Sequence, residues 1–205
     1  MARLLLYYAH PANRKSQVNR AMAEAVRGLG GITFVDLYAE YPRYDIDVDR
    51  EQARLVSHDV VLMQFPLYWY STPSILKEWQ DLVLEHGFAY GADGDKLAGK
   101  TLMLALSAAG PEEAYTAKGY QHFPLRQFLT PLEQTASLCQ MRFVAPYVLY
   151  GSLKAPRDGG LEPHVAGYRA LVEAVRDDRF DMRAAGQAEV LTADLLPIRE
   201  AAAHG

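Results

Sequence analysis

The sequence contains a single cysteine, no lysine- or arginine-rich run, and no apolar stretch long enough to span a bilayer. One cysteine excludes an internal disulfide framework and a cysteine-built metal site, so Cys139 is predicted to be a buried small hydrophobe. A net charge of −4 without a basic stripe argues against a nucleic-acid-binding protein. The opening apolar stretch is too short for a signal peptide before it meets His10, which predicts a cytoplasmic protein.

Internal repeats and interdomain linkers are also missing, and no glycine-rich phosphate motif of the G-x-G-x-x-G or G-x-x-x-x-G-K type follows the first predicted strand. With 205 residues, half of them apolar and 22% charged, the chain fits one globular domain. We place that domain at residues 1–180. The alanine-rich tail at 181–205 is compatible with a further helix or with a frayed end.

Strand-like and helix-like segments alternate along the chain. Predicted strands cover 3–9, 32–37, 58–65, 100–107 and 143–150. Predicted helices cover 16–29, 49–57, 73–86, a segment through Phe128, Leu132 and Leu138, and 165–179, whereas 38–47 is predicted to be a loop. Strands separated by helices indicate an α/β fold, a doubly wound five-stranded parallel sheet with helices on both faces. Such sheets bind ligands beyond the carboxyl ends of their strands.

The end of the first strand has the features of an anion site. The strand ends at His10, Ser16 is a candidate N-cap, and residues 17–19 would place unpaired backbone N–H groups in the first helical turn. Basic side chains lie close by in the sequence, at Arg14, Lys15 and Arg20. This turn therefore favours a phosphate, with a capped helix and solvated basic residues as the alternative.

The end of the third strand is rich in aromatic residues. After the apolar run 60–63, the loop carries four aromatic residues, Phe65, Tyr68, Trp69 and Tyr70. Pro66 and Pro73 hold this loop in one shape, because proline fixes φ and restricts the preceding residue. A stiff aromatic loop at this place suits a flat ring. The alternatives are a hydrophobic plug and a subunit contact.

The end of the fourth strand is built of small residues, Ser107 to Gly110, which let the backbone approach a ligand. Gly110 is able to adopt positive φ. The long loop that follows carries Tyr115, Tyr120 and His122, whose side chains can donate hydrogen bonds to a quinone oxygen. Taken singly, a surface or packing role is favoured for each of them. Together, the three strand ends could hold the phosphate and planar ring of one nucleotide-like cofactor.

Several of these segments are similar to one known family. The stretches 8–11, 16–19, 64–73 and 86–91 resemble the flavodoxin-like NAD(P)H:quinone oxidoreductases. The resemblance covers about residues 3 to 175. It is strongest to the bacterial subgroup that contains ancillary proteins of glutathione-regulated potassium-efflux systems.

The resemblance implies a set of flavin-binding positions. These are His10, Ser16, Gln17, Val18, Asn19, Pro66, Leu67, Tyr68, Trp69, Tyr70, Ser107, Ala108, Ala109 and Gly110. It also implies that Tyr115 and His122 line the nicotinamide and quinone site as catalytic residues. The family usually has Thr-Thr-Gly-Gly where this chain has Ser-Ala-Ala-Gly, which removes a hydroxyl group and a glycine.

These implications lead to the expectation of a homodimeric flavoprotein. It would transfer two electrons from NAD(P)H through FMN, which a short chain favours over FAD, to a quinone-like acceptor. Three alternatives stay open. The first is a regulatory subunit of a potassium-efflux protein, peripheral at the inner face of the cell membrane. The second is a single-electron carrier, and the third is an α/β domain that has lost its cofactor.

Overall fold

A parallel β-sheet forms the centre of the molecule. The computed structural model describes residues 2–200. Within them the sheet has the order β2-β1-β3-β4-β5, and β6 also pairs with β4. The strands are β1 (Leu4–Tyr8), β2 (Ile32–Asp36), β3 (Val60–Pro66), β4 (Thr101–Ser107), β5 (Arg142–Phe143) and β6 (Tyr147–Leu149). All of these pairings are parallel, as predicted.

The central strands are apolar because helices cover both of their faces. Every residue of β1, β3 and β4 is buried. Successive side chains enter opposite cores: Leu5 and Tyr7 pack on one side of the sheet, and Leu4, Leu6 and Tyr8 on the other. Burial on both faces explains why these strands have nearly continuous apolar runs instead of an apolar–polar alternation.

The helices are divided between the two faces. One face is covered by α1 (Val18–Arg27), α7 (Leu161–Arg176) and α8 (Met182–Gln187). The other is covered by α2 (Leu37–Glu40), α3 (Val48–Ser57), α4 (Ser74–Val83) and α5 (Thr130–Leu138), and a one-turn helix, α6 (Ala155–Asp158), follows β6. Cys139, directly after α5, is buried as predicted. Within residues 2–200, no helix has the length and apolar character needed to cross a membrane.

The strand predicted at 143–150 is wrong as a single element. Two short strands, β5 and β6, take its place and pair with different parts of β4. Pro146 lies in the gap and has no N–H to donate to the ladder. The C-terminal segment bonds to the gap instead, since Ala145 N–H donates to Ala185 O (3.0 Å) and Leu191 N–H donates to Pro146 O (2.8 Å).

Two irregular segments contain more structure than a loop or a frayed tail. The segment 38–47 begins in the single turn of α2, whose start is capped when Ala39 N–H donates to the Asp36 carboxylate (3.3 Å). In the tail, α8 forms, and Leu191 is buried in the core. Residues 201–205 of the predicted tail lie outside the described residues.

The order of the strands creates a crevice at one edge of the sheet. From β1 the chain crosses through α1 to β2 on one side, whereas β3 lies on the other side of β1. Connections that diverge in this way leave an opening at the carboxyl ends of the strands. Pro66, at the end of β3, pairs in register with Ser107, at the end of β4.

Candidate functional site

A cleft of about 340 Å³ opens at the carboxyl ends of β1, β3 and β4. It contains most of the positions that the sequence predicted for a phosphate and a flat ring. The predicted residues that line it are His10, Ser16, Gln17, Val18, Asn19, Pro66, Leu67, Tyr68, Ser107 and Ala109. The three strand ends therefore converge in space.

The first turn of α1 forms one end of this cleft. The helix begins at Val18, and Gln17, in the capping position, makes no capping hydrogen bond through its side chain. Ser16, predicted to be the N-cap, instead accepts a hydrogen bond from Arg20 N–H through its hydroxyl (3.3 Å). Arg20 N–H is therefore satisfied, whereas the N–H groups of Val18 and Asn19 at the start of the helix remain available to an anion, whose binding the helix dipole would favour.

His10 is held as a neutral donor beside this turn. Ala12 N–H donates to Nδ1 of the ring (3.1 Å), which places the remaining ring proton on Nε2. Nε2 lies 3.4 Å from the Tyr68 hydroxyl. Burial lowers the pKa of His10, so the neutral form is favoured.

The cleft is positively charged and has no acidic wall. Lys15 and Arg157 line it, and no aspartate or glutamate does. Within residues 2–200, neither cation is paired with a carboxylate. Two unpaired cations next to a helix N-terminus favour a phosphate group.

Four lining residues were not predicted as site residues: Ala12, in the turn after β1, and Ser152, Leu153 and Arg157. The last three follow β6, at the same edge of the sheet as the other loops that line the cleft. For the first, third and fourth strands, we expected the residues after the strand end to line a ligand site. The same expectation applied to the end of the predicted fifth strand, at 150, would have found these three residues.

The aromatic loop after β3 makes a strained turn. Tyr68 and Ser71 exchange two backbone hydrogen bonds (3.2 and 3.0 Å) around Trp69 (φ 48°) and Tyr70 (φ 63°). Positive φ at two successive residues is the pattern of a type I′ turn, which normally uses asparagine or glycine. Within residues 2–200, Trp69 and Tyr70 do not donate their backbone N–H groups to a backbone carbonyl. The turn therefore presents two free donors at the edge of the sheet.

A second cavity of about 310 Å³ adjoins the cleft and shares Leu67, Ala109 and Leu153 with it. We call it the aromatic cavity, since four aromatic residues line it, Trp69, Tyr70, Tyr115 and Tyr120. No charged side chain lines this cavity. Its walls suit a flat, uncharged ring.

Tyr115 and Gly110 form the floor of the aromatic cavity. Burial raises the pKa of Tyr115, which keeps its hydroxyl protonated and able to donate. Gly110 does not adopt positive φ, contrary to expectation. A Cβ at Gly110 would lie 2.7 Å from the hydroxyl of the exposed Tyr120 side chain and 3.1 Å from the Tyr115 ring, so both side chains would have to shift to make room for it.

Two predicted positions lie outside both cavities. Ala108 is fully buried beneath the cleft, where its N–H donates to Leu149 O (2.8 Å). His122 is exposed, and its side chain lines neither the cleft nor the aromatic cavity. The structure therefore brings Tyr115, but not His122, to the site.

Comparison with known proteins identifies the family. A family model described as a flavodoxin-like fold matches residues 2–172, and the chain belongs to this family. Over 149 residues the chain is 44% identical to the glutathione-regulated potassium-efflux system ancillary protein KefG of Cronobacter sakazakii, which covers 73% of this chain and 81% of that protein.

Two solved structures are similar over most of the chain. General stress protein 14 of Treponema denticola, in complex with FMN, matches with a TM-score of 0.79 at 35% identity, over 84% of this chain and 99% of its own. An NADPH-quinone reductase from P. pentosaceus matches with a TM-score of 0.72 at 26% identity, over 82% of this chain and 95% of its own.

Proposed function

We propose that this protein is an FMN-dependent NAD(P)H:quinone oxidoreductase. The observation that carries the proposal is the continuous groove at the sheet edge, with an anion-binding end and an uncharged aromatic end. An FMN complex and an NADPH-quinone reductase among the similar structures support it.

The described residues fit FMN at each part of the groove. The first turn of α1, with Lys15 and Arg157, suits the phosphate, and a terminal phosphate favours FMN over FAD. Asn19 is only 2% exposed, lines the cleft, and leaves its Oδ1 without a hydrogen-bond partner within residues 2–200. A buried amide oxygen of this kind needs a donor, which a ribityl hydroxyl would supply.

In the proposed mechanism the protein supplies position and hydrogen bonds. When bound, the flavin supplies two-electron chemistry between a reduced nicotinamide and the acceptor. The Trp69 and Tyr70 N–H groups would bind and orient its ring, and the aromatic side chains would pack against it. Tyr115 donates a hydrogen bond to an acceptor carbonyl in the aromatic cavity, which positions the acceptor and can provide a proton.

Flavin binding and turnover test this function directly. The protein stripped of cofactor should bind FMN with quenching of flavin fluorescence, and the loaded protein should oxidise NAD(P)H rapidly only when menadione is present. A protein that does not bind FMN, or that binds it without menadione-dependent oxidation, would contradict the proposal.

Replacing Arg157 with alanine should weaken FMN binding about tenfold, since one charge-assisted contact with phosphate is worth roughly 1.4 kcal/mol or more. Riboflavin has no phosphate, so its affinity should change less than about twofold. Fluorescence titration with both flavins at two salt concentrations measures the difference. Arg142→Ala is the matched control, because Arg142 is also exposed but lies in β5, next to the amino end of β4 and away from the cleft. Equal losses for the two flavins would remove Arg157 from the phosphate site.

We also propose a homodimer. Several aromatic residues near the site are exposed, and Trp69, at 93% exposure, has almost no cover within its own chain. A second copy would cover this surface and complete the wall of the aromatic cavity. Light scattering on the purified protein tests the dimer, and a monomeric mass at micromolar concentration would contradict it.

A second candidate function is regulation of a potassium-efflux protein, with reductase activity incidental. The similarity to KefG, an ancillary protein of such a system, favours it. Co-purification with a membrane transporter, together with negligible NAD(P)H turnover, would support this function over the first.

A further inference from the structure

A buried chain of hydrogen bonds runs from α7 to the floor of the cleft. The Tyr168 hydroxyl donates to Gln64 Oε1 (3.0 Å), and Gln64 Nε2 donates to the backbone oxygen of Asn19 (2.7 Å). Asn19 Nδ2 in turn donates to Ser107 Oγ (2.8 Å). The chain joins α7, β3, α1 and β4, and only its last two members line the cleft.

Two polar residues in this chain, Gln64 and Tyr168, contribute less to the stability of the fold than apolar residues would in the same places. Gln64 and Tyr168 are both fully buried, in a core that is mostly apolar. A buried amide lowers stability unless it is hydrogen-bonded, and a leucine in a central strand would carry no such requirement. Burial raises the pKa of Tyr168 well above its usual value, so the hydroxyl keeps its proton. Gln64 therefore has one defined orientation, with Oε1 toward Tyr168 and Nε2 toward Asn19.

The consequence of this orientation lies at Asn19. Gln64 holds the backbone of the first turn of α1, and Ser107 holds one end of the Asn19 amide. The other end, Oδ1, has no partner within residues 2–200. A ligand hydroxyl can both donate and accept, so it fits the remaining amide group together with the free hydrogen of Ser107.

We propose that Gln64 and Tyr168 are positioning residues that set Asn19 and Ser107 to bind the polyol chain of the flavin. This inference rests on the proposed function, and it adds residues that touch neither cavity. The pair acts on the ribityl part of the ligand, between the phosphate site and the ring site.

Three flavins separate this role from a general effect on folding. FMN and riboflavin carry the polyol chain, whereas lumiflavin has the ring alone. In Tyr168→Phe, the affinities for FMN and riboflavin should each fall about five- to tenfold, because Gln64 Oε1 loses its partner. Lumiflavin affinity should stay within about twofold. Gln64→Met removes both links and should give the same pattern with a larger loss.

Tyr147→Phe is the matched control. Tyr147 is buried on the same face of the sheet, and its ring centre lies 5.9 Å from that of Tyr168. Its hydroxyl donates to His164 O instead and makes no hydrogen bond toward the cleft. Its removal should leave the affinities for all three flavins within about twofold, even if the melting temperature falls as much as in Tyr168→Phe.

A double-mutant cycle tests whether the pair acts through Asn19. In an Asn19→Ala background, Tyr168→Phe should cause no further loss of riboflavin affinity. Three results would overturn the inference even if the wild type binds FMN. They are equal losses of flavin affinity in Tyr168→Phe and Tyr147→Phe, a loss of lumiflavin affinity as large as that of riboflavin, and fully additive losses of riboflavin affinity in the cycle. A wild type that binds none of the flavins would overturn both the inference and the proposed function.

Discussion

Replacing Glu51 with alanine should lower the free energy of unfolding by about 3–5 kcal/mol, because it removes one side of a buried ionic network. Glu51, on α3, is fully buried. Its carboxylate accepts hydrogen bonds from the Tyr7 hydroxyl (2.5 Å), the Tyr41 hydroxyl (2.6 Å) and Trp79 Nε1 (3.1 Å). The Arg54 guanidinium also binds it.

The loss is large because four donors meet at one acceptor group. Without the carboxylate, the Tyr7 hydroxyl and the indole N–H of Trp79 would stay buried and unsatisfied, and Arg54 would lose one of its two charge partners. The network also joins β1, α3, α4 and the residue after α2, so its removal loosens one whole face of the sheet. Burial and the adjacent carboxylate hold the pKa of Tyr7 well above its usual value, so its hydroxyl keeps the proton that it donates to Glu51.

Urea denaturation of the variant and the wild type at pH 7 measures this loss. Glu24→Ala is the control, since Glu24 is an exposed helical glutamate in an ion pair with Arg20, and its change should stay within about 0.5 kcal/mol. Glu51 lines neither cavity, so FMN affinity measured well below the melting temperature should persist. A loss under about 1 kcal/mol for Glu51→Ala would show that the network contributes little.

The second large effect is a loss of stability in mild acid that originates at His164. This side chain is 3% exposed, stacks on Tyr147 at 4.5 Å between ring centres, and has no partner for Nε2 within residues 2–200. Burial lowers its pKa from 6.5 to about 4. Between these values the unfolded chain binds a proton that the folded chain does not bind, so stability falls as the pH falls.

The expected size of this loss is about 3 kcal/mol between pH 7 and pH 4, since each unit of pKa shift corresponds to about 1.4 kcal/mol. His10, whose pKa burial also lowers, adds to the loss in the same direction. His164→Phe keeps a ring against Tyr147 and should remove most of the slope. Urea denaturation at a series of pH values measures it, with the exposed His122→Gln as control. An unchanged slope in His164→Phe would contradict the assignment.

The parts of the fold that the sequence predicted are those whose signal is local. Buried parallel strands have continuous apolar runs, and β1, β3 and β4 were found in this way. The single strand at 143–150 was wrong because Pro146 interrupts the ladder, and the hydrogen bonds that replace it come from residues 185 and 191. The turn of α2 was missed because its cap, Asp36, belongs to the preceding strand and the turn itself runs into an aromatic, proline-broken segment.

The candidate site divides in the same way. The places of the basic turn after β1 and the aromatic loop after β3 could be predicted because each is formed by a few consecutive residues. The contribution of Arg157 could not, since its place in the cleft depends on where β6 joins the sheet. The link between Tyr168 and Gln64 spans 104 positions, and neither residue has a functional pattern around it.

The sequence by itself determined the class of fold, the edge of the sheet at which the cleft opens, and most of the kinds of side chain that line it. These follow from apolar periodicity and from residues adjacent along the chain. Only the tertiary structure decided that Tyr115 enters the aromatic cavity while His122 does not, and that a buried glutamine and tyrosine support the cleft floor. Such contacts depend on the packing of distant segments against each other, which sequence spacing does not encode.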